Sequence, residues 1–256
     1  MDNNKPNLFI VGSGRNGTSM VTGLFHKSGY YMGDHLHAAS DENPKGYFED
    51  TIINQLNNKI LGRYLPKGQV INGIEYLKDS PGNRNGWLSR IPLDVKIEAS
   101  EADQTAINGF VGQTPFCFKD PRFCYLLHLW RQNADDARMV CVFRRPQLSV
   151  ASTLKCCATR PGLFEVAISV NQAFEIWTLM YSHVMQQQSL GGDWFFVEYH
   201  DILNGSALNA LEDFCGTRVD RDFPTSTLNR TDTPLNVPEK TAEIFTHLKD
   251  RAAACY

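Results

Sequence analysis

The feature that most constrains the fold of this chain is the stretch LFIVGSGRNGTSMVTGLF, residues 8–25. Its first four residues are apolar and predict a strand buried on both faces. The apolar residues that recur at helical spacing after residue 19 predict a helix. Glycines at 12, 14 and 17 allow the tight turn between the two. A strand, a glycine-rich turn and a helix in this order predict an α/β domain with a parallel sheet.

Two phosphate-binding patterns overlap in this turn. The glycines have the spacing G-x-G-x-x-G, and residues 12–19 also read G-x-x-x-x-G-T-S. The second pattern normally has a lysine directly after its last glycine, and here Thr18 stands in that place. Arg15 is the cation inside the loop, and its planar side chain can hold an anion through two parallel hydrogen bonds. We therefore predict an anion site formed by Gly12, Ser13, Gly14, Arg15, Asn16, Gly17, Thr18 and Ser19.

A second anion site is predicted in the stretch VCVFRRPQLSVAS, residues 140–152. An apolar strand runs into Arg144, Pro146 suits the first position of a helix, and Ser152 follows Arg144 by eight residues. An arginine at the carboxyl end of a strand points into the ligand crevice of an open α/β sheet. In isolation, such an arginine and serine are more often structural. Two anion sites on two strand–helix units of one sheet, however, indicate a nucleotide phosphorylated at both ends.

Composition and charge narrow the class of protein. A length of 256 residues suits one large α/β domain, and the net charge of −3 provides no general attraction for nucleic acid. The seven cysteines form an odd set without a C-x-x-C pair, so we expect buried free thiols and neither a disulfide framework nor a zinc site. The sequence shows no secretory signal and no apolar run long enough to span a membrane, so we expect a cytoplasmic protein.

The other elements follow from hydrophobic periodicity. We predict strands at 7–11, 115–118, 138–143 and 194–199, with a short one at 30–33. Helices are predicted after the loop, from about residue 50, and over 125–132, 164–188 and 206–215, with others starting at 146 and 238. Residues 63–115 are rich in Gly, Pro and Asn, which is typical of a variable insertion that faces a partner. The alternation predicts one parallel sheet covered by helices on both faces.

With these motifs the sequence resembles the sulfotransferases that use 3′-phosphoadenosine-5′-phosphosulfate (PAPS). In that family a phosphate loop without lysine binds the 5′-phosphosulfate, and GSGRNGTS resembles it. An arginine and a serine eight residues apart bind the 3′-phosphate, and Arg144 and Ser152 match this pair. Arg145 departs from the family, which often has Asp or Asn there.

Shorter segments extend the resemblance. NPKGYFED (43–50) and FKDPRF (118–123) resemble segments of bacterial and carbohydrate-type members. VEYHDIL (197–203) resembles the family's Tyr-Glu-Asp-Leu segment, with His200 in place of the glutamate. The resemblance implies that Tyr199 lies near the adenine. LNRT (228–231) is similar to the C-terminal loop that closes on the cofactor, here through Arg230.

The resemblance implies a single sulfotransferase domain over residues 1–256 with a P-loop NTPase-like architecture, in which residues 63–115 face the acceptor. The implied reaction moves the sulfuryl group of PAPS to a hydroxyl or amine of a small molecule or sugar, and releases 3′-phosphoadenosine 5′-phosphate (PAP). No metal is required, because the leaving group is already ionised and held by arginine. We expect neither nucleic acid nor a membrane as a partner.

The chemistry of transfer suggests roles for single residues. Negative charge builds on the leaving phosphate, and Arg15 and Lys119 are predicted to stabilise it, although Lys119 could instead form a structural ion pair with Asp120 or a neighbour. Glu49 is the predicted general base, because carbohydrate-type members place a glutamate base in this region, and the alternative is a helix-terminal charge. Asp50 is the predicted N-cap of the next helix. Reserve bases and substrate contacts are Asp120, His35 and Arg122.

Three other functions stay open at the level of sequence. An NAD(P)-dependent oxidoreductase would need an acid after its second strand, and Asp34 stands at a plausible distance, but Arg144 and Ser152 would then have no role. A small-molecule kinase would fit the hydroxyls of Thr18 and Ser19, but the lysine and a second acidic motif are missing. A non-enzymatic nucleotide-binding module would have the anion sites without a base beside them.

Overall fold

The structure, a computed structural model, describes residues 5–40, 43–65, 70–71, 74–75, 86–159, 168–224 and 234–256. The described elements are, in chain order, β1 (Leu8–Val11), α1 (Thr18–Leu24), α2 (Thr51–Gly62), β2 (Val70–Ile71), β3 (Ile74–Glu75), α3 (Glu101–Val111), β4 (Cys117–Lys119), α4 (Phe123–Trp130), β5 (Arg138–Phe143), α5 (Pro146–Thr159), α6 (Val170–Gln188), β6 (Trp194–Glu198), α7 (Tyr199–Leu203), α8 (Leu208–Cys215) and α9 (Glu239–Ala253). Single helical turns of the tighter 3₁₀ type lie at Gly86–Leu88 and Arg131–Asn133.

One parallel sheet with the order β4-β1-β5-β6 forms the centre of the molecule, and β2 and β3 form a separate antiparallel pair. β1 lies between two strands that are distant in sequence, since Leu8 is paired with both Cys117 and Arg138. Because all four strands run in the same direction, their carboxyl ends meet at one edge of the sheet. The glycine loop, Lys119, Arg144 and Tyr199 stand at this edge, so the fold gathers the residues that the sequence analysis selected.

Helices cover both faces of this sheet, as the continuous apolar strands predict. Alternate residues of β1 point to opposite faces. Phe9 and Val11 pack into a cluster that contains many aromatic side chains of β4 and α4, whereas Leu8 and Ile10 pack against residues of α1 and α8. All four β1 side chains are fully buried. The predicted fold class, one α/β domain with a central parallel sheet, is therefore confirmed.

The predicted elements agree with the structure at most boundaries, but the β2–β3 pair, α3 and α7 were not predicted. Residues 30–33 form no strand, and only Tyr31 makes a single bridge to Phe116. The insertion contains the helix α3, which weak periodicity concealed. Its first turn has a capping box, because the hydroxyl of Ser100 accepts from the Asp103 amide and the Asp103 carboxylate accepts from the Ser100 amide. Residues 164–167, predicted as the start of a helix, lie outside the described residues, and α6 begins after the cap Ser169.

All seven cysteines are free, and all but the half-buried Cys255 are buried, which confirms the prediction of buried thiols. Within the described ranges, no helix combines the length and the apolar character that a membrane crossing requires.

Candidate active site

The glycine loop between β1 and α1 is shaped by two close approaches of aromatic rings. A Cβ at Gly17, whose φ of +90° is in the left-handed region, would lie 2.1 Å from the ring of Tyr199. A Cβ at Gly14 would lie 2.5 Å from the ring of Trp87. Arg15, between them, also has a positive φ of 65°. Glycine is therefore required at Gly17 by conformation and at Gly14 by the neighbouring indole.

Asn16 holds the loop in this shape and has no exposed surface. Its amide nitrogen donates to the carbonyls of Ser13 and Gly14 at 3.1 and 3.0 Å and to the hydroxyl of Ser149 at 2.8 Å. Its amide oxygen accepts from the Arg144 backbone N–H at 3.0 Å and from the Trp177 indole at 3.2 Å. The side chain of Asn16 is thus hydrogen-bonded by the protein itself and connects the loop to the end of β5, to α5 and to α6.

The two sequence-predicted anion sites lie next to each other. Nε of Arg15, in the loop, donates to the hydroxyl of Ser152 on α5 at 3.1 Å. Arg144 is 8% exposed, and burial lowers the pKa of its guanidinium from the ordinary value, an effect to which the positive charge of Arg15 adds. Two cations close enough to affect each other, one of them buried, make a local environment that favours an anion.

Tyr199 connects the loop to Arg144. It begins α7 directly after β6, and its ring lies against Gly17 on one side, with the guanidinium of Arg144 4.9 Å from the ring centre. Burial raises the pKa of the Tyr199 phenol, whereas the positive charges of Arg144 and Arg15 oppose that rise. Both arginines therefore act electrostatically on one tyrosine, which locates all three side chains at the same place.

The first turn of α1 faces this region without a side-chain cap. Gly17 is the cap residue and has no side chain to offer. Thr18 is buried, and its carbonyl accepts from the hydroxyl of Thr22 at 2.8 Å. The amide groups that open α1 are thus not capped by a neighbouring side chain of the described residues.

Lys119 stands between the start of α1 and Glu49. Its ammonium donates to the hydroxyl of Ser19 at 3.1 Å and forms an ion pair with the Glu49 carboxylate. Lys119 is 3% exposed. The pairing of Lys119 with a neighbour, which the sequence analysis weighed, is therefore made with Glu49 and not with Asp120. The predicted base and the predicted leaving-group cation are in direct contact.

Asp120 is fully buried and its carboxylate is occupied by protein donors. One oxygen accepts from the side-chain amides of Asn54 and Asn57 at 2.7 and 2.9 Å. The other accepts from the backbone and the guanidinium of Arg122, each at 2.8 Å. Although burial raises it, the charge and hydrogen bonds of Arg122 keep the pKa of Asp120 below its ordinary value. Asp120 has no exposed surface and supports α2 and Arg122 through these hydrogen bonds, and its role as a reserve base or substrate contact stays a prediction.

The other residues that the sequence predicts for the site differ in their exposure and in their hydrogen-bond partners. Arg122 is also buried, and its Nε donates to Asn58 at 2.7 Å. His35 is exposed, and its backbone N–H donates to the Asp50 carboxylate at 2.8 Å. Asp50 caps α2 by accepting from the amides of Ile52 and Ile53, which confirms its prediction as an N-cap. Arg230 lies outside the described residues.

Two residues beside the site escaped the sequence analysis. Trp87 belongs to the insertion, where no pattern marks it, yet its ring packs on Gly14. Its neighbour Leu88 is buried, and the carbonyl of Ser89 accepts from the Tyr125 hydroxyl at 2.6 Å, so the turn that carries Trp87 is anchored in the core. His37 was assigned no role from the sequence, and its ring contacts the amide oxygen of Asn54.

Comparisons with known proteins agree with this architecture. No protein-family model matches the chain, and a search of curated proteins gives no match. Among solved structures, the sulfotransferase domain from the curacin biosynthetic pathway aligns with a TM-score of 0.55 and 13% identity, covering 96% of this chain and 98% of that domain. The sulfotransferase domain from the Synechococcus PCC 7002 olefin synthase aligns with a TM-score of 0.51 and 14% identity, covering 97% of each chain. The protein thus shares its α/β fold with these sulfotransferase domains.

Proposed function

We propose that the protein is a sulfotransferase that takes the sulfuryl group of PAPS and transfers it to a hydroxyl or amine of a small molecule or sugar. The observation that carries this proposal is the contact of Arg15 with Ser152 beside the buried Arg144. This contact joins the glycine loop and the β5–α5 corner into one basic surface. A ligand with anionic groups at both ends of a nucleoside is the class that such a surface suits.

The residues present fit a doubly phosphorylated adenosine. The loop glycines allow close backbone approach, the first turn of α1 lacks a side-chain cap, and Arg15, Arg144 and Ser152 offer charge and hydrogen bonds. Tyr199, whose ring lies beside Gly17, is proposed to contact the adenine side of the ligand. Arg230 remains a predicted cofactor contact. Asn16 contributes by shaping the loop, since its side chain is already hydrogen-bonded.

The chemistry needs an electrophile, a proton acceptor and a stabiliser of negative charge. When bound, PAPS supplies an activated sulfuryl group on a phosphate leaving group. Arg15 and the loop amides hold the anionic end, and Lys119, anchored on Ser19, stabilises the negative charge that develops there. Glu49 takes the proton from the attacking hydroxyl or amine. The ion pair with Lys119 holds the Glu49 carboxylate at the start of α1, next to the loop.

The alternatives are less consistent with the fold. In dinucleotide-binding enzymes the strand after the first helix pairs with β1 and carries the acid that binds ribose. Here β1 pairs with β4 and β5, and Asp34 is exposed and accepts from the hydroxyl of Tyr31 at 2.9 Å. A kinase would need a lysine at position 18, which is Thr18. Glu49, the proposed general base, is held next to the loop by its ion pair with Lys119, and a base at this position favours an enzyme over a binding module.

The decisive experiment compares Arg144→Ala with Arg145→Ala. Arg144 is buried beside Tyr199, whereas the side chain of Arg145 is 64% exposed and lies 3.9 Å from Glu198. PAP binding is measured by calorimetry and by the ligand-dependent rise in melting temperature. We expect PAP affinity to fall about 10²-fold in Arg144→Ala, because charge-assisted hydrogen bonds to the phosphate are lost. Arg145→Ala should change the affinity less than about 3-fold.

Two further ligands complete this test. NAD and ATP are titrated under the same conditions, and only PAP or PAPS should raise the melting temperature with increasing dose. Equal PAP binding by the wild type and Arg144→Ala, with both proteins folded by circular dichroism, would refute the proposed nucleotide site. A PAPS turnover screen over alcohols, phenols, sugars and amines, read as PAP release, then identifies the acceptor class.

A further inference from the structure

His37 and Glu49 are opposite each other in a short antiparallel pairing. Leu36 bridges to Asp50, the His37 amide donates to the Glu49 carbonyl at 2.9 Å, and the Thr51 amide donates to the His35 carbonyl at 2.9 Å. Directly opposite residues of such a pair project their side chains to the same face. His37 therefore stands beside Glu49, the proposed general base.

The hydrogen bonds of the buried network determine which nitrogen of His37 carries the proton. The Asp120 carboxylate, ionised beside Arg122, can only accept, so the group of Asn54 that faces it at 2.7 Å must be the amide nitrogen. The amide oxygen of Asn54 then faces Nε2 of His37 at 2.9 Å. An amide oxygen only accepts, so Nε2 must donate its hydrogen. In the neutral ring Nδ1 is left with an available lone pair.

The surroundings leave the ring of His37 accessible. The residue is exposed, and the ring of Tyr47 packs against it at a steep angle, with 6.1 Å between ring centres. Asn54, on the first turns of α2, holds the ring from the other side. A histidine that is fixed through one nitrogen and exposed elsewhere is suited to bind a ligand through the other.

We propose that His37 is an acceptor-binding residue, whose Nδ1 accepts a hydrogen bond from the molecule that receives the sulfuryl group. This inference rests on the proposed function and narrows its substrate class. The acceptor carries a second hydroxyl or amine hydrogen close to the group that is sulfated, as in a vicinal diol, a catechol or an amino alcohol. An acceptor without this second donor leaves Nδ1 unpaired against the bound molecule and binds more weakly.

The first test measures the proton position directly and needs no ligand. Long-range ¹H–¹⁵N spectra of the ¹⁵N-labelled protein at pH 8 report the tautomer of each histidine, and His37→Gln assigns the signal of His37. We expect hydrogen on Nε2 and a bare Nδ1. Asn54→Leu should convert this single tautomer into a mixture, whereas His247→Gln, on α9, should leave the His37 signals unchanged. A hydrogen on Nδ1 in the wild type would overturn the proposal.

The second test measures acceptor preference. Catechol and phenol are matched probes that differ by one hydroxyl, and glycerol and 1-propanol are a second pair. For the pair that is turned over with PAPS, we expect kcat/KM to favour the donor-rich member about 2- to 10-fold, mainly through KM. His37→Phe should abolish this preference with little change in kcat, whereas His37→Gln, which keeps a donor and an acceptor, should retain part of it.

The experiments distinguish a failure of this inference from a failure of the proposed function. A preference that persists in His37→Phe, with PAP binding intact, refutes the role of His37 alone. If the sulfotransferase proposal is wrong, the wild type will not bind PAP. The tautomer spectra would still decide whether His37 has the inferred arrangement.

Discussion

At the scale of single residues, Glu49 and Lys119 form a structural ion pair, and each also has a proposed role in catalysis. Their ion pair is nearly buried, and Lys119 also holds Ser19 at the start of α1. Either charge removed alone leaves the other in a poorly solvated place. Substitutions that keep the shape of the side chain are therefore the informative ones.

We predict that Glu49→Gln keeps PAP affinity within about 3-fold and reduces PAPS turnover by about 10²–10⁴-fold, because a proton acceptor is lost while the shape of the side chain is retained. Steady-state kinetics and calorimetry check this prediction. Glu98→Gln is the matched control, since the Glu98 carboxylate is exposed and pairs with the exposed Lys96. Full turnover by Glu49→Gln would transfer the role of base to another residue.

Asn16 is the residue whose loss should most affect the loop. Asn16→Ala leaves the buried Arg144 amide and the Trp177 indole without their acceptor. We expect the free energy of unfolding to fall by about 2–5 kcal/mol, measured by urea denaturation. Asn133→Ala, which removes an exposed hydrogen bond to Asn108, is the control and should change it by less than about 0.5 kcal/mol. Equal stability of the two variants would contradict the role of Asn16 in holding the loop in place through its hydrogen bonds.

At the scale of secondary-structure elements, local sequence patterns predict a strand or helix correctly where the whole pattern lies within that element. The apolar run of β5 and the proline that opens α5 give their boundaries directly. α3 was missed because its apolar positions are sparse, although the spacing of Ser100 and Asp103 is a capping signature. Contacts between elements could not be derived, since no local pattern encodes that Trp87 rests on Gly14 or that Arg15 reaches Ser152.

Gly14 and Gly17 of the loop should respond differently to alanine. Gly14→Ala conflicts only with the ring of Trp87, so we expect a loss of about 1–3 kcal/mol of unfolding free energy, most of which disappears in a Trp87→Ala background. Gly17→Ala conflicts with the ring of Tyr199 and also places a side chain at φ +90°, so Tyr199→Ala should remove only part of its effect. Double-mutant cycles by urea denaturation test both statements. A Gly17→Ala effect that disappears in the Tyr199→Ala background would contradict this assignment.

At the scale of the whole molecule, the buried thiols link stability to alkaline pH. Burial raises the pKa of Cys157 and Cys215 to about 12 and also raises the pKa of Cys117 and Cys141. In the unfolded chain these thiols ionise near pH ~8.5. Their contribution to stability is therefore complete below that pH and decreases as the pH rises above it, because the unfolded state releases protons that the folded state retains.

We predict that the free energy of unfolding decreases between pH 8 and pH 9.5 by about 1 kcal/mol for each of these four thiols, as measured by urea denaturation in the presence of a reductant. Iodoacetamide labelling gives an independent check, since the buried thiols should react only in urea. A free energy that stays constant or rises over this range would contradict the burial of the thiols in solution.

The position of β1 has a consequence for biosynthesis. β1 precedes both of its partners in the chain, and β4 and β5 begin at residues 117 and 138, so the nascent chain must keep a fully apolar segment unpaired until at least β4 has left the ribosome. Such distant pairing slows folding and exposes the segment to chaperones and to aggregation. The glycine loop emerges early during translation and acquires its final form late.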